Sequence, residues 1–134
     1  YQLHTGWVKG YTEGQAPLVY LVTTAQAVAA SGTGFVFSDG HGIALFTSWF
    51  DNLRDLDKVD WNAVYATMWR DTVDDMDRQR RKQAEFLVHR ACDWALIEEI
   101  GVVSAAMKAR VEQVLAGFPA ALHRPVRVHP EWYY

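Results

Sequence analysis

Apolar and polar residues follow two different periods along this chain, and the switches between them predict its elements. "APLVYLVT" is an apolar run introduced by Pro17 and reads as a strand from Leu18 to Val22. "TTAQAVAASG" predicts a short helix, with Thr23 or Thr24 as cap, alanines in its body and Gly32 at its end. "GFVF" predicts a second strand, Phe35 to Phe37, that runs into a loop at Asp39-Gly40. Ile43 to Leu56 is rich in aromatics and reads as helix. Asp60 is placed to cap a further helix carrying Trp61, Val64, Tyr65 and Met68 at helical spacing. Asp71 to Arg81 is charge-dense, acidic first and then basic, has no apolar period, and reads as a loop. "KQAEFLV", from Lys82, reads as a strand of seven residues with Glu85 in its middle.

"DWALIEEIG" then predicts a short helix from a capping Asp93 to Glu99. The clearest helix follows Ser104, with Ala106, Met107, Val111, Val114 and Leu115 on its inner side and Gly117 as its stop. Val126 and Val128 share one face of a closing strand, with Arg127 on the other. Tyr1 to Gly10 reads as the tail of a helix that ends at Gly6. Strands and helices alternate, without repeats, a low-complexity linker or a glycine-rich nucleotide loop, which points to a single α/β (α+β) domain over residues 1–134.

Composition agrees with one core: the 134 residues are 50% hydrophobic, and a chain of that size buries roughly two-thirds of its unfolded surface. A formal net charge of −3 excludes attraction to polyanions through bulk charge, so any nucleic-acid contact has to come from a local patch. Cys92 stands alone, which rules out an internal disulfide framework and points to a reducing, cytoplasmic setting. No apolar run approaches the roughly 18 residues of a membrane span, and no membrane partner is expected. The first ten residues carry no basic-then-apolar leader pattern.

Glu85 is the residue that the pattern does not explain. Alternation puts Ala84, Phe86 and Val88 on an apolar face and Gln83, Glu85 and Leu87 on the other. A carboxylate so placed is either a solvated surface group or a rigidly supported acid at the floor of a cleft, and periodicity does not choose between them. His41, after Asp39-Gly40 at a strand end, is either a polar loop residue or a site residue. Arg78, Arg80, Arg81 and Lys82 form a basic cluster beside Glu85. They are either balanced by Asp71, Asp74, Asp75 and Asp77 or free to hold phosphates. Trp69 is a candidate to stack on a splayed base, whereas Trp61 and Tyr65, four apart, read as helix core. His89 and Cys92 have a metal-like spacing but lack a second pair, so no metal is expected.

"KQAEFLV", "DWALIEEIGV" and the closing "PVRVHPEWYY" resemble the DarT family, the DNA ADP-ribosyltransferase toxins of bacterial toxin–antitoxin pairs. "GQAPLVYLV", "FVFSDGH" and "VDWNAVYATMWRD" fall in the order that the family shows. The resemblance implies an ADP-ribosyltransferase fold, a mixed sheet with flanking helices, split around a cleft. It implies an enzyme that takes NAD+ as substrate, transfers ADP-ribose to thymine in single-stranded DNA and releases nicotinamide. It also implies a toxin restrained by an antitoxin protein. Glu85 inherits the catalytic glutamate, Val59 to Lys82 the substrate-recognition loop, and "FSDGH" turns His41 toward DNA.

One departure from the family pattern stands out. Such chains begin with a section whose histidine and arginines hold NAD+, and this sequence starts after it; His4 belongs to a different part of the pattern. The NAD+ contacts are therefore expected mainly ahead of Tyr1, with little or no activity from these 134 residues alone. The alternative is a non-catalytic remnant that binds single-stranded DNA or an antitoxin.

Overall fold

The computed structural model describes Gly6 and residues 8–133. Apart from Gly6, the helix tail expected up to that glycine lies outside the described residues. In chain order the elements are β1 (Val19–Val22), α1 (Ala25–Ala30), β2 (Phe35–Ser38), β3 (Trp49–Phe50), α2 (Trp61–Tyr65), α3 (Arg78–Lys82), β4 (Phe86–Val88), β5 (Glu99–Val102), α4 (Ala105–Leu115) and β6 (Val126–Val128), with single 3-10 turns between some of them. This is the expected mixed α/β class, realised as two three-stranded sheets with flanking helices. The chain divides into two compact units, one of Thr24–Cys92 and one of the described residues on either side of it.

In the Thr24–Cys92 unit, β2 is the central strand between β3 and β4, and both pairings are antiparallel. Phe37, 2% exposed, sits opposite Phe50 on one side and Phe86 on the other. Its ring lies 6.2 Å from Phe86, nearly coplanar in orientation, and 5.4 Å from Phe50. Phe35 stacks on Phe86 at 5.0 Å. A row of rings on one face thus fixes the register, because a slip of one residue would turn every ring to the other side. Val28 of α1, Val59 and Ala63 of α2 are also buried. Thr24 and Asp60 cap the two helices through their side chains, as their positions in the sequence require.

In the other unit, β5 pairs antiparallel with β1 and parallel with β6. Ile100, Val102 and Val126 form the core, and Trp94, Met107, Val111 and Leu115 pack against it. Ser104 caps α4 by accepting the Met107 N–H at 3.2 Å. Ala106 and Val114, assigned by spacing to the inner side of α4, are exposed instead. Met107, Val111 and Leu115 recur every four residues and make the stripe that packs. His129, just past β6, is held between two acids: Nε2 lies 2.7 Å from Glu99 and Nδ1 2.8 Å from Glu131. Its ring stacks on Trp132 at 3.9 Å.

Five segments differ from the sequence reading. The helix that Asp60 caps ends at Tyr65, so Met68 lies beyond it. Ile43 to Leu56 is not one helix: turns closed by the Ala44 N–H to His41 O (3.0 Å) and the Thr47 N–H to Ala44 O (3.1 Å) lead into β3 and then a 3-10 helix over Leu53–Lys58. Its apolar residues are not buried on one face, since Ile43, Leu45 and Phe46 are almost fully exposed. Lys82 closes α3 rather than opening a strand, and β4 begins only at Phe86. The loop expected up to Arg81 contains that helix, which is held by ion pairs between neighbouring turns (Arg80 and Arg81 to Asp77) in place of an apolar stripe. Asp93 caps a single 3-10 turn, Trp94–Leu96, after which the chain extends into β5.

Two outcomes test this packing. Phe37→Ala is expected to cost about 3–5 kcal/mol, whereas Leu87→Ala, on the exposed face of β4, should stay within about 0.5 kcal/mol; urea unfolding reads both. The Glu131 and Glu99 contacts, Glu131 first, raise the His129 value above its ordinary one. Its contribution to stability is therefore complete below about pH 6.5, the ordinary histidine value, and is lost as pH rises through the raised folded value. His129→Gln should flatten the stability–pH curve across that window.

Candidate active site

Glu85 occupies the position immediately before β4, where the β2–β4 ladder runs out. The ladder nevertheless reaches it: the Ser38 N–H donates to Glu85 O at 2.9 Å, and the Glu85 N–H donates to the Ser38 hydroxyl at 3.0 Å. That hydroxyl in turn donates to Gly40 O at 2.6 Å. Ser38 is 1% exposed, so a buried side chain takes the place of a strand carbonyl, with each polar atom satisfied. The Glu85 backbone is pinned on both sides as a result.

Its carboxylate is held at Oε1. The Gly42 N–H donates to that oxygen at 3.1 Å, and His41 Nδ1 lies 3.2 Å from it. For the ring to donate here, Nδ1 carries the proton. These two donors, the backbone N–H first, lower the Glu85 value below that of an ordinary glutamate despite some loss of solvent. Glu85 is therefore ionised at neutral pH. Gly42 is required by space as well as by its N–H: a Cβ there would lie 2.9 Å from the Trp49 ring and 3.4 Å from Glu85 Oε1. Beside His41 lies an open depression of about 410 Å³, lined by His41, Ala44, Asp71, Met76, Asp77 and neighbours on α3.

The site has the ingredients for work on a cationic centre. An ionised carboxylate on a rigid support stabilises positive charge that develops nearby. The imidazole at its side is placed to share or accept a proton.

The basic cluster is engaged inside the unit. Arg80 Nε and Nη2 donate to the two Asp77 oxygens at 2.8 and 2.7 Å, and Nη1 donates to Asp39 Oδ1 at 2.9 Å. Arg81 pairs with Asp60 and Asp75. Arg78 pairs with Asp75 at 3.0 Å. The Lys82 amine donates to Val64 O at 2.9 Å and to Ala66 O, and sits 5.3 Å from the centre of the Trp69 ring. Burial lowers the Lys82 value. Two of the acids that take part, Asp39 and Asp60, lie outside the run that the sequence reading set against the cluster.

His41 and Glu85 are thus brought together, and Arg80 joins them through the loop from Asp39. Arg78 and Arg81 are engaged with Asp60 and Asp75, Lys82 with the Val64 and Ala66 carbonyls, and Trp69 with Lys82. Trp61 and Tyr65 are not core: they are 43% and 78% exposed, and their rings stack on each other at 6.0 Å. Five residues of helix are too short for a buried stripe, so the pair packs on itself at the surface. Among the described residues no three of His, Cys, Asp and Glu gather as metal ligands. Sequence reasoning missed Gly42 and Ser38. The signal was present in "FSDGHG", where a second glycine follows the histidine and a serine closes the strand.

A family model described as "ssDNA thymidine ADP-ribosyltransferase, DarT" matches residues 1–134. The chain is 40% identical over 134 residues to a DNA ADP-ribosyl transferase of Thermus sp. (strain 2.9), covering 100% of this chain and 62% of that protein. It is similar in structure to Thermus sp. 2.9 DarT in complex with NAD+, with a TM-score of 0.92 and 40% identity over 100% of this chain and 66% of that one. Thermus sp. 2.9 DarT in complex with ADP-ribosylated ssDNA gives a TM-score of 0.91 at 39% identity, over 100% of this chain and 62% of that one. The chain spans less than two-thirds of the length of each of these relatives.

The two donors on Oε1 make separable contributions. His41→Ala is expected to raise the Glu85 value part of the way toward the ordinary one of about 4.3. It should stop below that value, because the Gly42 N–H, the larger cause, remains. Carbon-13 NMR titration of the glutamate carboxyls measures this, and no movement on His41→Ala would remove the histidine from the account.

Proposed function

This chain belongs to the DarT family of ssDNA thymidine ADP-ribosyltransferases, and from that premise we propose that it carries the reacting carboxylate of an enzyme that transfers ADP-ribose from NAD+ to thymine in single-stranded DNA. The observation that carries the proposal is Glu85: an ionised carboxylate fixed at the end of a sheet and held by the Gly42 N–H and by His41, which itself lines an open depression. Residues 1–134 form part of one such transferase domain.

In this reading the bond between nicotinamide and the ribose breaks with its electron pair leaving on nicotinamide, and the sugar becomes cationic, as in glycoside hydrolysis. Glu85 stabilises that charge and orients the ribose hydroxyls. The contacts with His41 and the Gly42 N–H both use Oε1, which leaves Oε2 for the substrate in this reading. A ring nitrogen of thymine forms the new bond to the sugar and gives up its proton to Glu85 or His41. The chemistry fits the residues present, since a carboxylate with a lowered value stays charged when a cation forms beside it.

His41 and the segment from Val59 to Lys82 meet the DNA strand. The ion pairs of Arg78, Arg80 and Arg81, the bonds of Lys82 to the Val64 and Ala66 carbonyls and its place over the Trp69 ring support this by holding the segment in shape. The same proposal includes the growth-inhibiting role and restraint by an antitoxin protein, which rest on family membership.

The test incubates the protein with labelled NAD+ and thymine-containing single-stranded oligonucleotides, beside Glu85→Gln. We expect label on DNA from the chain joined to any upstream part that supplies the NAD+ contacts, and a loss of at least about a hundredfold when that same protein carries Glu85→Gln, the scale of removing one transition-state stabiliser. Equal labelling by the two proteins removes the role given to Glu85. Label on RNA or protein instead of DNA moves the substrate class.

A further inference from the structure

We infer that Arg80 is a positioning residue of this site: its guanidinium clamps the loop that presents His41 and the Gly42 N–H to Glu85. The inference rests on the transferase reading for its consequence in turnover, and on geometry alone for the clamp.

The loop between β2 and β3 has little to hold it from within. Ile43, Leu45 and Phe46 point into solvent, so no apolar anchor ties it down. Arg80 supplies the anchor from α3. Three of its five N–H donors go to Asp77 on its own side and to Asp39 at the loop entrance. Asp39 Oδ1 also accepts the Ser48 N–H at 2.9 Å, so the same carboxylate ties the start of the loop to its end. Nη1 reaches Thr47 Oγ1 at 3.4 Å, and that hydroxyl donates to His41 O at 2.7 Å. The backbone completes the bracket, because the His41 N–H donates to Arg80 O at 2.9 Å. His41 is thus fixed at its N–H, at its carbonyl and at its ring, and each of the first two routes passes through Arg80 or a partner of it.

The seat of the guanidinium is shaped for it. A Cβ built on Gly40 would lie 2.3 Å from Arg80 Nη1 and 3.0 Å from its Cγ and Cζ. The arginine side chain, 17% exposed, therefore lies flat on Gly40, and a Cβ there would displace it from its seat. Three charge-assisted donors with two carboxylates in a fixed plane match arginine and not lysine. A phosphate contact needs the opposite arrangement, with a fork open to solvent and no acid competing for it.

Three variants separate the clamp from a phosphate contact. Arg80→Ala removes the fork. Asp77→Asn keeps the fork and takes away an acid. Gly40→Ala keeps every charge and unseats the side chain. For a clamp, all three are expected to lower kcat by roughly ten- to a hundredfold, the cost of misplacing a reacting group by about 1 Å. KM for the oligonucleotide should stay unchanged and Arg80→Lys should recover little of the loss. All three should also move the Glu85 carboxyl titration up toward about 4.3, since the Gly42 N–H drifts from Oε1.

The inference is overturned if Arg80→Ala leaves kcat and the Glu85 titration in place while KM rises and the salt slope of DNA binding falls by about 1. It is overturned equally if Asp77→Asn tightens DNA binding without touching kcat. If the chain joined to any upstream part labels no DNA, the transferase reading fails, and the titration of Glu85 in the three variants still decides the clamp. Should Arg80→Ala not fold, Gly40→Ala and Asp77→Asn carry the decision.

Discussion

A carboxylate that has to stay charged at a partly dry site needs donors, and Glu85 draws them from the Gly42 N–H and the His41 ring. Neither donor lies near Glu85 in sequence; both come from a loop more than forty residues earlier. Everything else in the Thr24–Cys92 unit serves to bring that loop and that acid together and to keep them there. The antiparallel β2–β4 pairing brings the two segments side by side, and the Phe35, Phe37 and Phe86 rings hold the register to the residue. If the register slipped by one position, Ser38 would no longer face Glu85, and the backbone bonds on both sides of the acid would be lost with it.

The site also shows a division of labour between rigid and shaped parts. The sheet end fixes Glu85 through main-chain atoms and a buried serine, which leaves the carboxylate free of any duty in holding its own backbone. The loop is fixed by charge instead of burial. Its apolar residues face outward, and its geometry comes from carboxylate, hydroxyl and guanidinium groups whose directions are specific. Charge-assisted contacts in a half-exposed setting are directional but individually modest. Holding a loop this way takes several at once, which explains why Arg80, Asp39, Asp77, Thr47 and Ser48 all converge on it.

Most of the elements were legible in the sequence because local rules agreed there. Thr24, Asp60 and Ser104 cap the helices that their positions announce, and the apolar runs at Val19 and Phe35 are strands. The errors share one cause. Ile43 to Leu56 is rich enough in aromatic and apolar residues to suggest a helix, yet Ile43, Leu45 and Phe46 face solvent while Phe50 packs on the Phe37 ring. Arg78 to Lys82 has no apolar period, yet it forms a helix through ion pairs. Periodicity reports burial, and where a segment is held by charge or by turns, periodicity is silent. Glu85 was singled out because it broke the pattern of its strand. Its partners stayed hidden because hydrogen bonds between distant segments leave no spacing to read, and a glycine chosen for its N–H looks like any other.

The arginines raise a last point about how a unit of this composition meets a polyanion. The acids that take up Arg78, Arg80 and Arg81 are Asp39, Asp60, Asp75 and Asp77, so this network adds no positive charge to the surface. The whole chain is at −3. Attraction through a basic groove is then weak, and on the proposed reading a single strand has to be held by something other than charge. The exposed rings of Trp61 and Tyr65 offer one such means, because stacking on a base face is worth about 1–3 kcal/mol, tolerates every base, and survives salt that screens phosphate contacts.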